Sequence, residues 1–148
     1  MPIPDLLPNG LLPEGVHDAT SADVRERFGR FRETAKRVEL QTVLDAFLAE
    51  AQASGLVEAI IVNGSYTTGK AQPEDIDIIV VLRQGVDLAA ELRPDQYNVV
   101  SANRVKKRYP FDVRVATSAP ETLRPLVDFF AEVKQQPGLR KGMVKVTL

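Results

Sequence analysis

Two neighbouring stretches decide the fold: Val57-Glu58-Ala59-Ile60-Ile61-Val62-Asn63-Gly64-Ser65, and Asp75-Ile76-Asp77-Ile78-Ile79-Val80-Val81-Leu82. Both are short and rich in β-branched residues around an apolar run, which is the pattern of strands. The second is apolar at every position from Ile78 to Leu82, so as a strand it must be buried on both faces and central in a sheet. Side chains alternate along a strand, so Asp75 and Asp77 point to one side while Ile76 and Ile78 point to the other. Two carboxylates on one face repel each other unless a cation joins them, and hard oxygen ligands of this kind suit Mg2+ or Mn2+. At the end of the first stretch, Gly64-Ser65 offers a turn where backbone N–H groups and one hydroxyl can approach a phosphate closely.

Upstream, Val38, Leu40, Val43, Leu44, Phe47, Leu48 and Ala51 recur at helical spacing, and Gly55 stands where a helix stop belongs. A shorter helix is expected from Thr20, capped by Thr20 or Ser21 ahead of Val24, Arg25 and Phe28. Before it, Pro2, Pro4, Pro8, Gly10, Pro13 and Gly15 punctuate short apolar residues. That predicts an extended arm over residues 1–19, packed on a single domain of residues 20–148. Downstream, a polar region with Pro94 leads to a helix from about Tyr97 to Arg108, and Phe111-Asp112-Val113-Arg114-Val115 alternates as a strand after Pro110. A capped helix over about Ala119 to Val133 follows, and Met143-Val144-Lys145-Val146-Thr147 reads as an edge strand or a docked tail. The class is α/β (α+β).

With 148 residues, 44% hydrophobic and 26% charged, the chain can bury one core and has no room for a second full domain. A formal net charge of -1 argues against a protein that coats nucleic acid or an anionic membrane. No apolar run is long enough to span a bilayer, and the first residues lack the basic start and apolar stretch of a secretory signal. The expected address is cytoplasmic, with no membrane partner. The absence of cysteine excludes disulfides and thiolate chemistry, and a single histidine, His17, excludes a multi-His site within one chain. Chemistry is left to carboxylates, hydroxyls and a borrowed ion.

An apolar strand, a Gly-Ser turn, a spacer of about a dozen residues and Asp-x-Asp inside an apolar strand resemble the signature of the nucleotidyltransferase superfamily, the fold of DNA polymerase beta. The resemblance covers about Val57 to Val81. It implies a minimal nucleotidyltransferase fold, a small mixed β-sheet flanked by helices, and a Mg2+-dependent transfer of NMP from NTP to an acceptor with pyrophosphate release. It makes Asp75, Asp77 and Asp112 the catalytic and metal-binding residues, Asp112 being the third carboxylate from a neighbouring strand. Gly64 and Ser65, with Thr68 and Lys70 of the following loop, become nucleotide-binding. The acceptor, whether protein, small molecule or RNA 3′ end, is not named by these residues. The chain also looks like a family of short, functionally unassigned bacterial proteins of this fold, through Leu12-Pro13-Glu14-Gly15-Val16-His17-Asp18-Ala19-Thr20, Arg27-Phe28, Phe129-Phe130 and Lys141-Gly142-Met143-Val144. The minimal nucleotidyltransferases usually carry an arginine before the mid-loop glycine, where this chain has Thr68 before Gly69.

Other readings compete for the same residues. Gly64 to Lys70 satisfies most of a P-loop, but Ala71 lacks the hydroxyl that magnesium needs, and Pro73 leads into a strand instead of a helix. Asp75 and Asp77 could be solvent-facing acids, Asp112 could pair with Arg114 on an exposed face, and Lys70 could be a solvated loop lysine. His17 is expected to fix the arm by hydrogen bonding. Arg25, Arg27, Arg30, Arg32, Lys36 and Arg37 read as solvated helix surface, with phosphate or RNA contact as the alternative, and Lys106-Lys107-Arg108 as complements to a helix dipole. The rival function is a non-catalytic nucleotide- or protein-binding module, one component of a toxin–antitoxin-like or regulatory pair. A partner protein or self-association could supply the wall that a chain this small lacks.

Overall fold

Strands β1 Val16–Ala19, β2 Val57–Asn63, β3 Ile76–Leu82, β4 Phe111–Thr117 and β5 Met143–Thr147 form one mixed sheet in the order β1-β5-β2-β3-β4. The computed structural model describes residues 3–31, 34–109, 111–133 and 136–148. Expectations for Pro2, Arg32 and Pro110 fall outside them. The pairs β1 with β5 and β3 with β4 are parallel, whereas β2 runs antiparallel to both of its neighbours. The helices are α1 Ser21–Val24, α2 Ala35–Ser54, α3 Pro94–Val100, α4 Ala102–Arg108 and α5 Pro120–Ala131. The chain is an α+β fold.

Alternation divides the strands between two cores. Val57, Ile60 and Val62 of β2 and Ile76, Ile78, Val80 and Leu82 of β3 face the larger core, closed by Leu40, Leu44, Phe47 and Ala51 of α2, Val99 of α3 and Val105 of α4. Ala59, Ile61, Ile79, Val81 and Ala116 face the other way, where Leu123, Leu126, Val127 and Phe130 of α5 cover them. Burial of β3 on both faces explains its unbroken apolar run.

Local signals set the element ends. Thr20 and Asp23 form a capping box at α1, which continues as a π-helical turn over Arg25–Gly29. Gly55 closes α2 at φ 73°, in the left-handed region. The single helix expected near Tyr97 to Arg108 is two. Ser101, at φ -89° and ψ 112°, ends α3 and caps α4 by accepting the Arg104 N–H. The expected edge strand at Met143–Thr147 is instead an interior one, because the N-terminal segment supplies β1 as its outer neighbour. Ahead of β1, Ile3 and Leu12 are buried. Arg27 donates to the carbonyls of Pro4 at 2.6 Å and Ile3 at 2.9 Å, and His17 Nε2 lies 2.7 Å from the Pro13 carbonyl. A Cβ at Gly142 would sit 2.0 Å from the Pro13 oxygen, so only glycine lets this segment dock.

Candidate active site

The site forms at the end of the sheet where β2 finishes and β3 and β4 begin. Pairing puts Asn63 opposite Asp77 and Asp77 opposite Asp112, so the three stand in a row across three strands on the face that α5 covers. α5 runs back over this face, and its Phe130 carbonyl accepts from Asn63 Nδ2 at 3.1 Å. Beside the row opens a cavity of about 1060 Å3 lined by Gly64, Ser65, Thr68, Lys70, Asp75, Asp77 and Asp112. It thus gathers every residue that the sequence marked for metal or nucleotide. It also includes Asn63, Arg114, Phe129, Phe130, Glu132 and Lys141, which were not assigned to the site.

The Gly64-Ser65 turn differs in detail from the expected phosphate cradle. Asp75 lays its carboxylate across it: Oδ1 accepts the Ser65 N–H at 3.0 Å and the Ser65 hydroxyl at 2.6 Å. The same hydroxyl accepts from the Glu74 N–H at 3.0 Å. Most other donors of the loop also turn inward, Tyr66 N–H to the Asp75 carbonyl, Thr68 N–H and hydroxyl to the Ser65 carbonyl, and Gly69 N–H to the Gly10 carbonyl. A carboxylate close to a turn rich in N–H groups is the strongest local acceptor, and here it holds the place foreseen for a phosphate. Gly64 adopts φ 90°, and a Cβ there would meet Asp77 N at 3.0 Å, so its smallness serves the approach of the turn to β3.

The loop is held from beneath by Arg37. Its side chain is fully buried, Nη1 donating to the carbonyls of Phe28 at 3.1 Å and Tyr66 at 2.9 Å, and Nη2 to those of Thr68 and Lys70, each at 2.6 Å. The expectation of solvated helix surface fails here, because position 37 lies on the same stripe of α2 as Leu40, Leu44 and Ala51. Arg25 instead pairs with Asp45 and Arg30 with Glu26 at the surface. Tyr66 is buried next to Arg37 and donates its hydroxyl to Gln41 Oε1. Burial pushes the Tyr66 phenol well above its usual value of 10.0.

At the opposite rim Asp112 is exposed and pairs with Lys106 at 3.3 Å; Arg114 is not its partner. Lys70 stands 3.9 Å from Glu74, also in solvent. Among the described residues no three acidic or histidine side chains are close enough to hold an ion unaided. The donors fit magnesium in type nonetheless: Asp77 and Asp112 are register neighbours. Beside them Asn63 Oδ1 is a buried oxygen with no hydrogen-bond partner among the described residues. Magnesium takes one or two carboxylates and completes its shell with water and substrate phosphates.

A family model matches residues 4–147. The chain belongs to DUF6932, a family of unknown function. No curated protein and no solved structure matches it. The DUF6932 match spans the N-terminal segment, the loop, the row of acids and β5, so the whole site lies inside it. Among the described residues no helix is long and apolar enough to cross a membrane.

Proposed function

We propose that the chain is a magnesium-dependent nucleotidyltransferase that moves NMP from NTP to an acceptor and releases pyrophosphate. One observation carries the reading: all seven residues selected from the sequence for metal and nucleotide line a single cavity, with Asp77 beside Asp112. Asp75 and Asp77 would hold the ion, Mg2+ or Mn2+, and with it the nucleotide, while Asp112 would complete the shell on the acceptor side. Once bound, the ion supplies positive charge at the phosphates and acidity at the acceptor hydroxyl.

Asp75 and an incoming phosphate compete for the same Ser65 donors. Were Asp75 to turn toward a bound ion, the Ser65 N–H and hydroxyl would be free for the outer phosphates, so nucleotide binding should depend on the ion. Lys70 adds a positive charge from the rim. Asp112, at the solvent side, would take the proton of the acceptor hydroxyl as the acceptor oxygen attacks the α-phosphorus and the bond to pyrophosphate breaks. The supply of NTP fits a cytoplasmic address.

Calorimetry with NTP tests the reading. Binding should appear with magnesium and vanish with chelator. Equal affinity in the Asp75→Ala, Asp77→Ala double variant would remove the site from consideration.

A further inference from the structure

Phe129 is 64% exposed, more than any other large apolar side chain described, and it lines the cavity that holds Ser65 and Asp77. It is not loosely placed. Phe130 meets it edge to face, with centroids 5.1 Å apart and planes at 80°. Phe130 in turn packs on the Ala59 and Ile61 core, and its carbonyl is tied to Asn63. An aromatic face is therefore held open to solvent in a cavity that sets apolar neighbours, Phe130, Val133 and Pro137, against Ser65, Lys70 and the acids.

We infer that Phe129 is the platform on which the base of the bound nucleotide stacks, an inference that rests on the nucleotide reading above. A ligand for this cavity needs an anionic end for Ser65 and Lys70 and a flat apolar end for the aromatic wall. A nucleoside triphosphate has both, and about 1060 Å3 accommodates one. Stacking accepts any base through its π face, so the platform ranks purines above pyrimidines by ring area without reading base edges.

The protein has no tryptophan, so Phe129→Trp places a single indole at the site, excited selectively beyond the tyrosine absorption band. Magnesium-ATP should quench it saturably; magnesium tripolyphosphate should leave it bright and displace the ATP signal. In calorimetry Phe129→Ala should lose about tenfold in ATP affinity and nothing in tripolyphosphate affinity, with Phe129→Leu between. If the wild type binds neither ligand, the nucleotide reading falls and takes the platform with it. If it binds both and Phe129→Ala weakens them equally or not at all, the platform is wrong while the nucleotide reading stands. A Phe129→Ala variant that changes sedimentation but not ATP affinity would assign the ring to a protein contact and overturn the inference.

Discussion

Asp75 and Ser65 hold each other across the loop between β2 and β3, one carboxylate oxygen taking both the backbone N–H and the hydroxyl. Removing that carboxylate should free an anion site. Asp75→Ala is expected to bind inorganic tripolyphosphate without divalent ion about tenfold more tightly than the wild type, since a charged hydrogen bond is worth roughly 1.5–3 kcal/mol. Its magnesium-supported NTP binding should weaken. Calorimetry in chelator and in magnesium measures both arms, and unchanged metal-free affinity would show that Asp75 does not guard the turn.

Arg37 should be the most sensitive residue for stability. Its guanidinium satisfies four carbonyls out of water, and each one left unpaired costs about 1–3 kcal/mol. Arg37→Met should lose at least about 3 kcal/mol in urea unfolding, and Arg37→Lys should recover only part of it, because one ammonium cannot span four acceptors. A loss under about 1 kcal/mol in Arg37→Met would mean that the loop holds itself.

Asp112 separates an enzyme from a binding module. Asp112→Asn keeps the shape and removes the charge, so NTP affinity should stay nearly unchanged while transfer of labelled nucleotide to acceptors in cell extract drops at least about a hundredfold. A wild type with no transfer under any divalent ion would favour the binding module. Full activity in Asp112→Asn would pass the role to another acid of the cavity.

Tyr66 predicts an alkaline limit. Its neutral phenol is favoured in the folded protein, so its contribution is complete below the unfolded value of 10.0 and is lost as pH climbs from there toward the higher folded value. The melting temperature should fall steeply above about pH 10, and Tyr66→Phe should fall less steeply over the same range. Tyr66→Phe will start lower by about 1 kcal/mol for the lost bond to Gln41. Parallel pH profiles for the two proteins would rule Tyr66 out as the cause.

The strands were legible because burial writes itself into sequence as alternation or as an unbroken apolar run. Ile76–Leu82 shows the second pattern and Phe111–Thr117 the first. The acids followed from that, since alternation alone puts Asp77 and Asp112 on one face once β3 and β4 pair in parallel. The donors of Gly64 to Lys70 were not legible, because which acceptor a turn binds depends on how closely Asp75 is folded back on it. Arg37 carried a signal that its basic neighbours hid: it falls on the apolar stripe of α2. Phe129 and Phe130 are adjacent in sequence, and only the direction of α5 decides which ring packs and which faces the cavity.

The place of β5 between β1 and β2 governs the order of assembly. The hairpin of β2 and β3 can close early, and β4 joins through a connection of moderate length. Among the described residues β1 has β5 as its only strand partner, so its pairing of Val16 with Met143 must join segments from opposite ends of the chain. Closing so long a loop is slow, and until β5 arrives the open side of β2 offers unpaired N–H and C=O groups to other chains. Aggregation during refolding should therefore be governed by the capture of β5, with the fit of Gly142 under the Pro13 carbonyl acting as the final latch.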